Sequence, residues 1–329
     1  MRSYSTRLVK SADLLCSSVS KVAKLSTNPD LADLILYHGS GCPDGYASAF
    51  AAWLRRGDSA TYIPMEHGPS LVIPEVSGKH VVVVDFSFSA AVTADLKSKA
   101  ASFVVLDHHA SAEKELIDLP EENKIFEMKQ SGATLAWDYF HKTEPPLFFR
   151  YLEDKDIWRW ALCDSEAFSA GFGTIKFEMG AFKTLLDKSE AGVDEIIGRG
   201  RAILEYKNGV RDSHVKRAVP CRLKAAPQFD GLVVNGSTIA SEIGNAMCQQ
   251  PGIQFGAIWS YDHSKKSIYV SLRSDSDDVD VSIIAKSFGG GGHKRAAGFS
   301  YSGSSIEDLL LPPRESSADE VNAKRTRIE

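Results

Sequence analysis

Histidines and aspartates follow three apolar runs, each of the length of a buried strand. They are His38 with Asp44, Asp85, and Asp107-His108-His109, after the runs Leu34–Tyr37, Val81–Val84 and Phe103–Leu106. Ligand sites in open parallel sheets form at the carboxyl ends of the strands, so these side chains are predicted to meet in one pocket. Two of these imidazoles and the three carboxylates are enough to hold one divalent cation, and we expect two cations.

Each group also has a purely structural explanation. Asp44 and Asp85 could cap the helices that follow them, and His108 and His109 could be unrelated surface residues. A single acid after four valines is costly to bury, however, unless it is paired or bound to a metal. Adjacent side chains on an extended segment point in opposite directions. One of the two histidines is therefore predicted to join the acids, and the other to orient it or to contact substrate.

Two further segments carry candidate residues. Asp154 and Asp156 precede Trp158 and Trp160, and this acid pair could equally be a solvated helix end. Phe288–Gly298 contains four consecutive glycines, whose backbone N–H groups can cradle an anion. A glycine run is often only a flexible loop, but this one lies within a folded pattern and ends in Ala-Ala-Gly, which favours close packing against a ligand. The strand before this segment ends in an arginine, Arg273, that could bind a phosphate through two hydrogen bonds.

The elements that would position these residues alternate between strand and helix. The first half is predicted to contain strands Leu34–His38, Thr61–Ile63, Val81–Phe86 and Phe103–Leu106 and helices Ala47–Arg55, Ala90–Lys99, Thr134–His141 and Leu147–Leu152. From Val219 the pattern predicts strands Cys221–Lys224, Leu232–Asn235, Phe255–Ser260 and Ser267–Arg273 and helices Ile239–Gln249 and Val281–Lys286. This alternation predicts a two-domain α/β protein. A mainly parallel N-terminal sheet with flanking helices would be followed by a smaller C-terminal α/β domain, with a cleft between them.

Length and composition set the limits of this prediction. The 329 residues suffice for two domains, and we place these at residues 31–192 and 219–311, joined by a connecting helix at 193–218. The net charge of −5 gives no overall basic field for long duplex nucleic acid. The longest apolar runs are strand-sized, so no membrane segment is predicted. Five cysteines without paired spacing favour a reducing compartment.

The two ends of the chain differ from the rest. Residues 1–30 are basic and rich in serine, like a mitochondrial or plastid transit peptide. The other explanation is an N-terminal extension of a cytoplasmic protein. Residues 312–329 are charged and poor in apolar residues, which predicts a disordered tail.

Together the motifs resemble the DHH phosphoesterase superfamily, in the branch with a DHH-associated C-terminal domain. The resemblance runs from about Leu34 to Phe299 and looks closest to the oligoribonuclease-like members, or nanoRNases. It implies catalytic roles for Asp85, His108 and His109. The metal ligands that it implies are His38, Asp44, Asp85, His108 and one of Asp154 and Asp156. The substrate-binding residues that it implies are His109, Arg273, Gly290, Gly291, Gly292 and His293.

The chain departs from this family at Cys42. Most members have Asp-x-Asp in the first motif, whereas this sequence has Cys42-Pro43-Asp44. A thiolate is a softer ligand than a carboxylate and would shift the preference away from Mg²⁺ or Mn²⁺. Alternatively, Cys42 does not bind, and one metal keeps an additional water.

The resemblance implies a metal-dependent phosphoesterase that cleaves short single-stranded oligonucleotides or small phosphonucleotides to nucleoside monophosphates. Two ions about 4 Å apart would act on the phosphoryl group, and the expected ion is Mn²⁺, with Mg²⁺ or Co²⁺ as alternatives. A homodimer fits such a two-domain fold. The competing hypotheses are an exopolyphosphatase or pyrophosphatase that cleaves phosphoanhydrides, and a nucleotide-binding protein with little or no turnover.

Overall fold

The structure, a computed structural model, describes residues 25–68 and 71–314. The chain divides into two compact units, with the boundary between Leu204 and Glu205. The leader predicted for residues 1–30 and the tail predicted for residues 312–329 lie mostly outside the described residues. Among the described residues, no helix has both the length and the apolar character that a membrane span requires.

The first unit is built on a five-stranded sheet in which every strand pairing is parallel. Its strands are β1 (Leu34–His38), β2 (Thr61–Met65), β3 (His80–Val84), β4 (Ser102–Asp107) and β5 (Lys124–Phe126). Their order is β2-β1-β3-β4-β5. The chain moves from β1 outwards to β2 and then returns to the other side of β1 for β3. This reversal makes the β1/β3 boundary a topological switch point, where ligands bind in open α/β sheets.

Helices cover both faces of this sheet. They are α1 (Pro43–Arg56), α2 (Ala90–Lys99), α3 (Ala110–Glu115), α4 (Gly132–His141), α5 (Leu147–Asp156) and α6 (Ser165–Phe172). Alternate strand residues face opposite sides. Val82 and Val104 pack with residues of α1, α4 and α5, whereas Val81 and Phe103 pack with Leu96 of α2. A parallel sheet buried on both sides needs such uninterrupted apolar strands, and its prediction is confirmed.

Helix α7 (Met179–Arg217) follows and crosses the boundary between the units. Its helical geometry is interrupted at Ser189, whose φ is 53°. The connecting helix predicted at residues 193–218 falls on the part of α7 after this interruption.

The second unit contains a seven-stranded mixed sheet. Its strands are β6 (Val219–Leu223), β7 (Ala226–Asn235), β8 (Phe255–Asp262), β9 (Ser267–Arg273), β10 (Gly291–His293), β11 (Ala296–Tyr301) and β12 (Leu310–Leu311). The order is β10-β11-β9-β8-β7-β6-β12, with β7 and β8 parallel and the other pairs antiparallel. Among the described residues, the α-helices that follow α7 in this unit are α8 (Ala240–Cys248) and α9 (Val281–Lys286). This unit confirms the predicted second α/β domain.

Candidate metal centre

The turn after β1 brings Cys42 back beside His38. Ser40 and Gly41 both have a positive φ, of 53° and 73°, and the N–H of Cys42 donates to the carbonyl of Gly39. Helix α1 then begins so close to β1 that a Cβ on Gly45 would lie 2.1 Å from the carbonyl oxygen of His38. A glycine is therefore required there for the first turn of α1 to reach the end of β1.

Asp85 follows β3 in an unusual backbone conformation. Its φ is 52°, and the residue is 1% exposed. A buried non-glycine residue in this region costs of order 1–3 kcal/mol, and such strain is concentrated at functional sites. The strand predicted to reach Phe86 ends at Val84 because this conformation interrupts it. Gly132, the first residue of α4, packs against Asp85, where a Cβ would lie 2.4 Å from the aspartate Cβ.

The two carboxylate oxygens of Asp85 face different partners. Oδ2 lies 3.4 Å from Nδ1 of His38 and 3.7 Å from Sγ of Cys42. Oδ1 lies 3.1 Å from Nε2 of His108. The same imidazole nitrogen is 3.7 Å from Asp44 and 3.4 Å from Asp156. Asp85 is thus shared between two sets of potential metal ligands.

The structure places these ligand atoms in compact groups. One group is His38, Cys42 and Asp85, and a second is Asp44, His108 and Asp156; within each group the ligand atoms lie within 4.8 Å of one another. Imidazole nitrogen and carboxylate oxygen are normal ligands for divalent metals, and three protein ligands leave coordination positions for water or substrate. Both groups fit a divalent cation.

Asp44 is the second residue of α1, yet its carboxylate caps a different helix. Its oxygens accept hydrogen bonds from the backbone N–H groups of Gly132 and Ala133, at 2.6 and 3.1 Å. These are the free N–H groups at the start of α4, where a negative charge is favoured. The alternative explanation of Asp44 as a cap of its own helix is therefore wrong. The cap of α2 is likewise Ser89 and not Asp85.

Asp107 holds the two histidines that follow it. Its Oδ1 accepts hydrogen bonds from the backbone N–H of His108 at 2.7 Å and from Nδ1 of His109 at 2.6 Å. Ser87 donates its hydroxyl to the other oxygen at 2.5 Å. The side chain of His108 is 11% exposed and faces the acids, whereas that of His109 is 47% exposed. The neighbouring histidines thus differ in their surroundings. The hydrogen bond to Asp107 uses Nδ1 of His109 and does not involve the other ring nitrogen, Nε2.

The two acids at the end of α5 have different environments. The carboxylate of Asp154 accepts the backbone N–H groups of Ala161 and Leu162, at 2.9 and 3.0 Å, and so fixes the loop after the helix. The carboxylate of Asp156 faces His108. Of the two alternative ligands Asp154 and Asp156, the structure places Asp156 beside His108, whereas the carboxylate of Asp154 binds the loop after α5.

The pKa shifts of the cluster favour positive charge among its buried acids. Burial raises the pKa of Asp44 well above its usual value, and the nearby charges of Asp85 and Asp156 raise it further. The hydrogen bond to Asp85 raises the pKa of His38 to about 10. Burial opposes protonation of His108, but Asp85 and the charges of Asp44 and Asp156 outweigh it and raise its pKa to about 9. In the absence of a cation, protons on these imidazoles offset the buried acids, and metal binding would displace them.

A cavity of about 230 Å³ lies beside this cluster within the first unit. Asp44 and Asp156 form part of its wall. The other lining residues are Pro43, Tyr151, Leu152, Lys155, Phe168, Ser169, Phe172 and Gly173. The cavity therefore combines two site carboxylates with an aromatic wall and one lysine.

The predicted glycine-rich loop is part of a strand pair in the second unit. Gly291–His293 forms β10 and pairs with β11. A Cβ on Gly290 would lie 2.2 Å from the carbonyl oxygen of Gly298, and Gly292 has a φ of 139°. Close packing against β11 thus accounts for these two glycines, whereas the sequence had suggested packing against a ligand.

Arg273 and His293 lie in register on this sheet. His293 pairs with Ala296, and Ala296 pairs with Arg273. Directly paired residues of antiparallel strands present their side chains on the same face, so the small Ala296 lies between the imidazole and the guanidinium. The guanidinium donates to the hydroxyl of Ser241 at 2.7 Å and to Ser271 and Leu272. Within the described residues it forms no ion pair, which leaves its charge for an anion.

Sequence reasoning missed several residues of the centre. Asp107 was noted in its triplet but given no role, although a carboxylate between a buried strand and two histidines was a usable signal. Ser87 followed Asp85 by two residues and was also overlooked. The contact between Gly132 and Asp85 joins residues far apart in the chain and has no local signal.

Comparison with known proteins identifies one domain and one relative. Residues 235–311 match the DHHA1 domain. The uncharacterized protein R106 of Acanthamoeba polyphaga mimivirus is 34% identical over 298 residues, which cover 84% of this chain and 69% of R106.

Solved structures show weaker similarity. The pGpG-specific phosphodiesterase PggH of Vibrio cholerae is 15% identical with a TM-score of 0.49, over 89% of this chain and 97% of PggH. RecJ of Thermus thermophilus, solved with Mg²⁺, is 13% identical with a TM-score of 0.39, over 90% of this chain and 50% of RecJ. Similarity of this size does not establish a shared function.

Proposed function

We propose that this chain, which belongs to the same family as mimivirus protein R106 and carries a DHHA1 domain, is a metal-dependent phosphodiesterase. Its substrates are short single-stranded oligonucleotides or small phosphonucleotides, and its products are nucleoside monophosphates. The ions are two divalent cations, of which Mn²⁺ is the expected species at the oxygen-rich ligands.

The division of the Asp85 carboxylate between two ligand groups carries this proposal. One oxygen is oriented towards His38 and Cys42 and the other towards His108, so one residue could bridge two ions. Two-metal sites of this kind are found in phosphatases and nucleases. Bound divalent ions supply Lewis-acid activation of the phosphoryl group and of the attacking water.

His109 is the residue that meets the substrate at this centre. The hydrogen bond with Asp107 raises the pKa of His109 and fixes its ring orientation. The protonated ring can then donate from Nε2 to a phosphoryl oxygen or to the leaving oxygen, as a general acid. Its greater exposure beside the buried His108 supports this role.

An exposed tryptophan close to the centre supports a nucleotide substrate. Trp158 follows Asp156 by two residues, is 74% exposed and contacts Trp160 edge to face. Both tryptophans have a positive φ, of 60° and 51°. A strained, exposed aromatic residue next to a phosphoryl-transfer site is suited to stacking on a base, an interaction worth roughly 1–3 kcal/mol. Phosphate binding by Arg273 and His293 is proposed for the second unit on the basis of their register and because the arginine forms no ion pair with any described residue.

The test is hydrolysis by the full-length chain with Mn²⁺ and by its Asp85→Asn variant. The substrates are labelled RNA and DNA of graded length, 3′-phosphoadenosine 5′-phosphate and polyphosphate. Wild type is expected to release mononucleotides, at a rate that falls with length, and Asp85→Asn to lose this activity while keeping its circular dichroism spectrum. Asp95→Asn, at an exposed position on α2, is the matched control and is expected to retain full activity.

Other results would assign the protein differently. Release of phosphate from polyphosphate without nucleotide cleavage would indicate the phosphoanhydride hydrolase. Tight nucleotide binding with no turnover in Mn²⁺, Mg²⁺, Co²⁺ or Zn²⁺ would indicate the non-catalytic binding protein. The homodimer and the organellar location stay predictions, to be checked by light scattering and by imaging the tagged full-length chain.

A further inference from the structure

The two ligand groups of the centre are chemically unequal. The group around His38 contains a thiol, an imidazole and a carboxylate, whereas the group around His108 contains one imidazole and two carboxylates. Thiolate ligands select ions such as Zn²⁺, while carboxylate and water suit Mg²⁺ and Mn²⁺. A single type of ion would therefore not suit both positions equally.

The sulfur of Cys42 is placed to act as a ligand. Its Sγ lies 3.7 Å from Oδ2 of Asp85, the same oxygen that lies 3.4 Å from Nδ1 of His38. Cys42 occupies the N-cap position of α1, but its side chain makes no capping hydrogen bond. The helix therefore does not use the sulfur, and the positive end of its dipole favours negative charge at this position.

We infer that the centre holds two different metals. The position formed by His38, Cys42 and Asp85 takes a thiolate-binding divalent ion, Zn²⁺ or Co²⁺. The position formed by Asp44, His108 and Asp156 takes Mn²⁺ or Mg²⁺. This inference rests on the metal dependence in the proposed function, but it can be tested without measuring hydrolysis.

The ligand number agrees with this assignment. His38, Cys42 and Asp85 supply three protein ligands, the usual number at catalytic zinc sites, where a water or substrate takes the fourth position. A carboxylate in place of the Cys42 thiol would leave only imidazole and carboxylate ligands in both groups. The two positions would then no longer differ in the type of metal that their ligands prefer. The identity of residue 42 therefore decides the metal preference of this half of the centre.

Cobalt spectroscopy of the full-length chain tests the thiolate ligand directly. Metal-free protein is titrated with Co²⁺, and the near-ultraviolet charge-transfer band of a thiolate–cobalt bond is recorded. Wild type is expected to show the band, Cys42→Ser to lose it and Cys163→Ser, which changes an exposed cysteine outside the ligand group, to keep it. Cobalt binding by wild type without this band, or a band that survives in Cys42→Ser, would overturn the inference.

Metal content tests the difference between the two positions. Protein dialysed against excess Mn²⁺, with Zn²⁺ buffered at a low free concentration because Zn²⁺ binds most sites more tightly than Mn²⁺, is expected to retain one of each per chain, and Cys42→Asp to retain Mn²⁺ at both positions. Zinc affinity should fall in Cys42→Asp by at least the roughly 10–100-fold that the loss of an outer-shell partner costs. The same metal content in wild type and variant would refute the inference.

Hydrolysis assays on the same samples separate the two proposals. Nucleotide hydrolysis with Mn²⁺ but no thiolate band would leave the proposed function standing and remove the mixed-metal inference. A thiolate band without hydrolysis of any substrate would do the reverse, because a mixed-metal site would then exist in a protein that is not a phosphodiesterase.

Discussion

Single side chains at this centre are held in place by hydrogen bonds to neighbouring carboxylates. Asp107 accepts hydrogen bonds from Ser87, from the backbone of His108 and from the ring of His109. Asp154 similarly holds two backbone N–H groups of the loop after α5. Outer residues of this kind orient metal ligands and tune their basicity. The chemistry of the centre is therefore encoded in more residues than its ligands alone.

Replacing Asp107, the hydrogen-bond partner of His109, should lower activity as much as replacing His109 itself. We expect Asp107→Asn and His109→Ala each to lower kcat for dinucleotide hydrolysis by about 100-fold or more, the usual contribution of general acid–base catalysis. Since both changes remove one function, the double variant should be hardly worse than His109→Ala. Steady-state kinetics of the three variants measure this, and a multiplicative loss in the double variant would show that the residues act independently.

The raised pKa values of two histidines predict how stability depends on pH without metal. The pKa of His38 is raised from 6.5 to about 10 and that of His108 to about 9. A histidine whose pKa is raised by folding stabilises the fold fully below pH 6.5, and this stabilisation is lost as pH rises through the folded pKa. We expect the Tm of metal-free protein to fall between pH 6.5 and about 10, and to fall less with Mn²⁺, which replaces the protons.

Variants show whether this dependence comes from the centre. Metal-free His38→Gln should lose part of the decrease in Tm over the same pH window. His263→Gln, at an exposed histidine of the second unit, should keep the wild-type dependence. Identical pH profiles for wild type and His38→Gln would contradict the assignment.

At the scale of elements, the start of α4 contacts both Asp44, which follows β1, and Asp85, which follows β3. Its first N–H groups bind the carboxylate of Asp44, which follows β1, and its first residue, Gly132, packs on Asp85, which follows β3. A helix N-terminus placed there offsets negative charge and leaves room only for glycine. The position of α4 therefore fixes the separation of the two acids.

Adding one methyl group at this contact should disturb the centre without removing a reacting group. In Gly132→Ala the new Cβ would lie 2.4 Å from Cβ and 2.8 Å from Cγ of Asp85, so the carboxylate must move. A displacement of about 1 Å can cost 100-fold in rate, and we expect a loss of that size together with weaker Mn²⁺ binding. Calorimetric metal titration and kinetics measure both effects.

Gly209→Ala is the matched control, because nothing lies within 4 Å of a Cβ at this position in α7. It should stabilise the chain by roughly 0.5–1 kcal/mol through better helix formation, without changing kcat. Full activity and metal affinity in Gly132→Ala would show that α4 does not position Asp85.

The elements that carry the ligands were predictable, whereas their contacts were not. Buried parallel strands are continuous apolar runs, so the bounds of β1 were predicted without error and the residues after β3 and β4 were identified. The strand β5 was missed because only Ile125 in it is buried. Asp154 and Asp156 lie two residues apart on a helix, so they point in directions about 200° apart. The family resemblance implied that one of them is a ligand, and only the contact of Asp156 with His108 in the structure shows which one lies at the centre.

At the scale of the whole molecule, the candidate metal ligands lie in the first unit and the candidate phosphate-binding arginine, Arg273, lies in the second. The chain carries a net charge of −5, and four carboxylates of the first unit, those of Asp44, Asp85, Asp107 and Asp156, lie in the candidate metal centre. An anionic substrate must therefore be bound by local cations. Arg273 is such a cation, because its described partners are hydroxyl and carbonyl oxygens. Arg273 is thus the candidate anion-binding residue of the second unit, whereas the candidate metal ligands belong to the first.

This division predicts that Arg273 matters for nucleotides and not for small phosphodiesters. Loss of a charge-assisted hydrogen bond costs about 1.5–3 kcal/mol, so Arg273→Gln should raise KM for dinucleotides by roughly 10–150-fold. Arg273→Lys should recover only part of this loss, because lysine cannot make the paired contact of a guanidinium. Hydrolysis of bis(p-nitrophenyl) phosphate, which has no second phosphate, should be unchanged in both variants.

The control for this prediction is Arg222→Gln on β6, whose side chain donates to the carbonyl oxygens of Pro227 and Pro312. It should leave KM for dinucleotides unchanged, since its guanidinium is far in sequence and sheet order from β9 and β10. An equal loss of activity on both kinds of substrate in Arg273→Gln would mean that Arg273 supports the fold. No change on either would mean that the phosphate-binding residue lies elsewhere. A selective rise in KM for nucleotides would support the proposal that Arg273 binds a substrate phosphate.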